Sequence, residues 1–305
     1  MGQSDKAWSL DNKSSSYVDY YNKGADLYEL GKYDLALEAF DKAIELNPNF
    51  SEGYYSKGII FYKLSKYELA LEAYNKTIEL NPNYFKAYNS KGTILNKLGQ
   101  YDLALEAYNK AIKLNSSNPQ VYYSKGVILF KLSKYELALE AYNKAIELNL
   151  SYFEAYNNRG VVLKGLGKDE LALENYDIAI ELNPSFFEAY NNKGNALRDL
   201  GKYELALEAY NKAIKLNPND SEVYYGKGLV FSNLGKYELA LENYDIAIEL
   251  NPSFSEAYNG KGVILDEFGK YDLAFEAYNK AIKLNPNNFK AQNNKRLLLE
   301  RMKGL

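Results

Sequence analysis

Two apolar patterns take turns along the chain, and together they recur every 34 residues. Within 187–220, Tyr190, Gly194, Leu197 and Leu200 share one stripe of a helix, and Gly201-Lys202-Tyr203 breaks it. Ala206, Tyr210, Ala213 and Ile214 then keep the i, i+4, i+7, i+8 spacing of a second amphipathic helix, with Leu205, Leu207 and Leu216 widening its apolar face. Asn217-Pro218 ends that helix, because the residue before a proline is driven out of the α region. The pattern predicts paired helices of about 13 residues, each about 20 Å long. Helices so short are marginal alone, so they must stack on neighbours.

The frame is set by Gly24, Gly58, Gly92, Gly126, Gly160, Gly194, Gly228 and Gly262, each 34 residues from the next. With Gly24 as position 8, eight units run 17–50, 51–84, 85–118, 119–152, 153–186, 187–220, 221–254 and 255–288. Residues 289–305 are expected to form a capping helix and 1–16 a flexible tail, with Trp8 a candidate to dock on the first helix. Of 31 tyrosines, 22 fall at positions 4, 17 and 24, so the aromatic residues belong to the frame and not to a cofactor box. Six of seven prolines hold position 32; Ser116 and Leu150 replace it in the third and fourth units, whose junctions are expected to bend more easily.

This pattern resembles the tetratricopeptide repeat, with tyrosine at position 4, glycine at 8, alanine at 20, an aromatic at 24, alanine at 27 except Thr77, and proline at 32. Position 7 departs from it, carrying Lys or Arg in place of Leu, and Asp169 replaces the tyrosine of position 17. The resemblance covers 17–303 and implies an all-α, right-handed superhelical solenoid of antiparallel helix pairs. It also implies a concave groove lined by the first helix of each unit.

Composition narrows the chemistry. With no cysteine and no histidine, the chain has no disulfide, no thiolate and no imidazole, and hence no Cys/His zinc site. The net charge of −3 argues against a nucleic-acid or anionic-membrane surface. No apolar run approaches a membrane span, and the first residues lack the apolar centre of a secretory signal, so a cytoplasmic protein is expected, with delivery into a host cell left open. Gly-Leu-Gly-Lys at 165–168 continues with Asp169 where a phosphate loop needs Ser or Thr. Glutamates such as Glu72, Glu140 and Glu208 stand four residues before a lysine, the spacing of solvated helix-surface pairs. Neither a cofactor, a metal nor a catalytic residue is expected.

What varies between units should carry identity. In the groove that the resemblance implies, positions 2, 5, 6, 9, 12 and 13 face the ligand. Asn89, Asn157, Asn158, Asn191, Asn192, Asn195 and Asn259 would place a row of amides there, each able to donate to and accept from a peptide backbone. Tyr55, Tyr123 and Tyr225 add aromatic surface, and Lys63, Lys97, Lys131 and Arg198 add cations. The first four units are expected to be basic in the groove; the last four, with Glu154, Glu188, Glu222 and Glu256, are acidic. The lysine and arginine clamp by which some family members hold acidic chaperone tails is absent, since position 5 is only Tyr or Asn and position 6 is never Arg. The expectation is a non-enzymatic, monomeric scaffold binding a peptide or helix of a partner protein, with self-association through stacking or the convex face as the competing reading.

Overall fold

The computed structural model describes residues 16–303, and every regular element among them is an α-helix. The expected tail and the docking of Trp8 lie outside the described residues, except at Ser16. That residue caps the first helix: its hydroxyl accepts the Asp19 N–H at 3.2 Å, and the Asp19 carboxylate accepts the Ser16 N–H at 2.7 Å.

The chain divides into two compact units, one ending at Ser133 and the other beginning at Lys134. In the first, α1 (Tyr17–Glu29) pairs with α2 (Tyr33–Leu46), α3 (Ser51–Lys63) with α4 (Tyr67–Leu80) and α5 (Phe85–Lys97) with α6 (Tyr101–Leu114), and α7 (Pro119–Lys131) follows. The second opens with α8 (Tyr135–Leu148). There α9 (Phe153–Gly165) pairs with α10 (Asp169–Leu182), α11 (Phe187–Asp199) with α12 (Tyr203–Leu216), α13 (Ser221–Asn233) with α14 (Tyr237–Leu250) and α15 (Ser255–Glu267) with α16 (Tyr271–Leu284). The last helix, α17 (Phe289–Lys303), closes the chain.

Each pair is held by a ring laid against a bare backbone. The position-24 tyrosines, such as Tyr108 and Tyr210, are almost wholly buried. A Cβ added at Gly194 would stand 2.7 Å from the Tyr210 ring, and one at Gly58 would stand 2.4 Å from Tyr74. Only glycine allows that approach. Ala206 and Ala213 fill the space beside the ring at 0% exposure. Position 10 lies outside the stripe read from the pattern, yet Ile60, Ile94, Ile128, Val162, Ala196 and Val230 there are at 0% exposure. Leu205 and Leu216, expected to widen the apolar face of the second helix, are instead 50% and 40% exposed. With Ala206 and Tyr210 already meeting the partner helix, position 19 is turned too far round the helix to reach it.

Tight turns join the helices of a pair. Gly31, Gly99, Gly167, Gly201, Gly235 and Gly269 take positive φ, and Ser65 and Ser133 take φ 57° in the equivalent places. In the third pair the missing proline is replaced three residues later: Pro119 opens α7, and the Asn118 side chain accepts the Gln120 N–H at 3.0 Å.

Successive pairs are tied by the basic residue at position 7. Lys57 reaches Asp41 at 2.5 Å and Lys91 reaches the Asn75 amide at 2.8 Å in the first unit. In the second, Arg159 reaches Asn143 at 2.9 Å, Lys193 reaches Asp177 at 2.5 Å and Lys261 reaches Asp245 at 2.6 Å. Each bond joins a first helix to the second helix of the pair before it. The departure from the leucine of the family pattern is thus a polar bracket at an exposed edge.

Candidate functional site

First helices of neighbouring pairs lie side by side, and residues 35 apart meet across them. In the first unit, Tyr55 is half-buried, with its ring 5.0 Å from Tyr84 and 5.6 Å from Tyr74 and its hydroxyl 3.5 Å from Ser90 Oγ. Burial raises its phenol above the usual range. Tyr123 is half-buried as well. Asn89 presents the same position as Tyr55, but its amide oxygen is buried and has no hydrogen-bond partner. The cations of the last turns stay exposed and rest on rings: Lys63 Nζ is 5.3 Å from the Tyr28 centroid, Lys97 is 5.8 Å from Tyr62, and Lys131 is 5.4 Å from Tyr101.

In the second unit the amides bond to one another. Asn157, only 4% exposed, accepts the Asn192 amide at 3.0 Å and donates to Asn158 at 3.1 Å. Asn259 accepts Asn294 in the same way at 3.0 Å. The rule behind these bonds is simple: a position-5 oxygen is met by an asparagine at position 6 of the next first helix. Asn191 breaks it. Gly226 stands where its donor would be, because the Tyr210 ring and hydroxyl come within 2.8 Å of any Cβ there, and the Asn191 oxygen is left buried without a partner.

Asn195 does a different job from its neighbours. Its oxygen accepts the hydroxyl of the buried Tyr210 at 2.8 Å and an Arg198 N–H at 3.1 Å. Arg198 also holds Asp199 at 2.8 Å, and Lys164 reaches the same carboxylate at 2.6 Å. Burial pulls the Asp199 carboxyl upward, but these two cations outweigh it and keep it below the usual range. Arg198, the cation expected in this part of the groove, is therefore occupied, and so is Lys164 beside it. Glu188, Glu222 and Glu256 remain as exposed acids in first turns, where they suit the helix dipole. Tyr225 is half-buried against Tyr244 and Phe254 at 5.8 and 5.0 Å.

The first-helix faces thus offer rows of amides, phenol rings and, in the first unit, ring-supported cations. Such a surface suits a backbone with its own donors and acceptors. A different surface escaped the sequence reading. Clefts of about 280 to 860 Å³ open beside the second helices, each floored by the position-11 aromatic or leucine and the exposed leucine of position 19. Their signal was the leucine recurring at position 19 in every unit, which period alone assigns to the core. No helix among the described residues is long and apolar enough to cross a membrane.

Models of the TPR repeat match residues 92–133, 126–167 and 194–235. Models of the tetratricopeptide repeat match 18–50, 51–84 and 153–186, then 73–106 and 175–208, and 225–289. No curated protein matches the chain at significant similarity. Among solved structures, YrrB, described as a TPR protein with an unusual peptide-binding site, is 28% identical over 63% of this chain and 98% of its own, with a TM-score of 0.51. MamA from Desulfovibrio magneticus RS-1 is 25% identical over 56% of this chain and 96% of its own, with a TM-score of 0.52. A tetratricopeptide repeat protein from Parabacteroides merdae, 20% identical over 82% of this chain and 98% of its own with a TM-score of 0.66, shares the fold.

Proposed function

The chain belongs to the tetratricopeptide-repeat family, and from that premise we propose that it is a non-enzymatic scaffold whose first-helix face binds an extended segment of a partner protein. The observation that carries this reading is the amide row of Asn157, Asn158 and Asn192, bonded across neighbouring first helices and flanked by half-buried Tyr225. These two bonds take up the Asn157 and Asn158 oxygens and one N–H each from Asn157 and Asn192, so the Asn192 amide keeps its own oxygen and a second N–H for a ligand's N–H and carbonyl groups. Holding an amide in place before the ligand arrives lowers the ordering entropy of binding. The peptide-binding site ascribed to YrrB makes the same use of this fold a reasonable inheritance. Asn89, Asn191 and Asn259, Tyr55 and Tyr123, and Lys63, Lys97 and Lys131 extend the proposed surface within their own units; Arg198 contributes through its hold on Asn195.

A displayed peptide library panned on the full chain tests this. Peptides selected there should titrate with saturation, and Asn158→Ala with Asn192→Ala should weaken them by about 0.5–1.5 kcal/mol per lost bond. Selected peptides that bind the double variant unchanged would remove the amide row from the site.

A further inference from the structure

The clefts beside the second helices share one plan, but their charge does not. In the first, second and fourth repeats the position-26 lysine is paired one turn on with a glutamate: Lys42 with Glu45, Lys76 with Glu79 and Lys144 with Glu147, at 2.6 to 2.8 Å. In the repeat at 187–220 that glutamate is replaced by Lys215, so Lys212 faces a second cation. The cleft there, about 770 Å³, is lined by Lys193, Lys202, Lys212 and Lys215 against only Asp177 and Glu208. Lys193 is already paired with Asp177. Its floor is apolar, formed by Tyr190, Leu197, Leu173 and the half-exposed Leu205.

We propose that this cleft is a second docking site, distinct from the first-helix face, for an acidic peptide segment that inserts a bulky aliphatic side chain between α11 and α12. Lys202, Lys212 and Lys215 would meet carboxylates flanking that side chain, and Leu205 would cover it. The surplus of lysines over acids favours an acidic occupant, and the leucine floor distinguishes the ligand from a simple polyanion, which has nothing to place there. Like charges one turn apart weaken a helix, so the Lys212 and Lys215 pair is unfavourable in the free chain and is relieved by an anionic partner.

The test uses the full chain and a short synthetic peptide with two leucines among glutamates, beside a control with serines for the leucines. Saturable binding of the first and much weaker binding of the second are expected. Lys215→Glu installs the lysine–glutamate pair of the first, second and fourth repeats and should weaken binding about fivefold or more. Leu205→Ser should weaken it about fivefold to tenfold. Asn158→Ala with Asn192→Ala should leave it unchanged, so failure here and failure of the first-helix reading are separable. Equal binding of both peptides, tighter binding of RNA or of anionic vesicles, or full binding by Lys215→Glu would each overturn the proposal.

Discussion

At the scale of single residues, two close contacts decide most. Gly194 is required by the Tyr210 ring, so Gly194→Ala should cost about 1–3 kcal/mol in a urea melt through overpacking. Gly165, at the end of α9 with nothing within 4 Å of a new Cβ, is the control: Gly165→Ala should be neutral or stabilise by up to about 1 kcal/mol. A loss at both positions would show that the ring contact is not the cause. Asn195 illustrates how far a column of amides misleads. From sequence it joins Asn191 and Asn192 in the groove, but it supports the hydroxyl of a buried tyrosine. Asn195→Ala should therefore cost about 1–3 kcal/mol by leaving that hydroxyl unmet, whereas Tyr176→Phe, whose hydroxyl has no partner already, should cost nothing measurable. Equal losses in the two variants would contradict the assignment.

Among elements, the turns and the inter-helix brackets are the informative places. Ser65 and Ser133 stand in the left-handed conformation that glycine occupies elsewhere, so Ser65→Gly and Ser133→Gly should each raise stability by about 0.5–1 kcal/mol in a thermal melt. A fall would mean that the serine side chains hold those turns. The helices themselves were legible in the sequence, because glycine at position 8, alanine at 20 and tyrosine at 24 repeat in one column and pack within one pair. What was not legible runs diagonally. Asn157 meets Asn192, 35 residues on, and Lys193 meets Asp177, 16 residues back; a reading by 34-residue columns never sets those residues beside each other. Exposure of Leu205 was missed for a related reason: hydrophobicity marks a face, and only the partner helix shows how wide the covered face is.

For the molecule as a whole, the buried tyrosines fix the alkaline limit. Burial lifts the phenols of Tyr74, Tyr176, Tyr210, Tyr244 and Tyr278 well above their ordinary 10.0, and the less buried Tyr84 is pushed up to about 12. A raised folded pKa means that the neutral form is favoured by folding, so this stability is complete below pH 10.0 and is lost as pH rises above it. The last part of the tyrosinate absorbance, from these buried phenols, should therefore rise together with loss of helical circular dichroism, in one cooperative step; ionisation of every tyrosine on an intact helical signal would refute it. The C-terminal helix belongs to this scale too. Leu298 is wholly buried against Leu265 and Tyr278, and in a one-dimensional array each element is stabilised only by its neighbours. Truncation before Phe289 should lower the melting temperature or the solubility, and an unchanged melt would show that α17 covers nothing needed.

The first-helix face is the claim on which the functional account stands, and a parallel pull-down from the source cell tests it most directly. Three baits are compared: the wild type, Asn158→Ala with Asn192→Ala, and Glu174→Lys with Glu242→Lys, exposed on the second helices outside the clefts. Circular dichroism should show all three folded. The account predicts that the asparagine variant loses most of the partner that the wild type retains, while the glutamate variant keeps it. Retention by the asparagine variant together with loss by the glutamate variant would place the partner on the second helices and contradict the account.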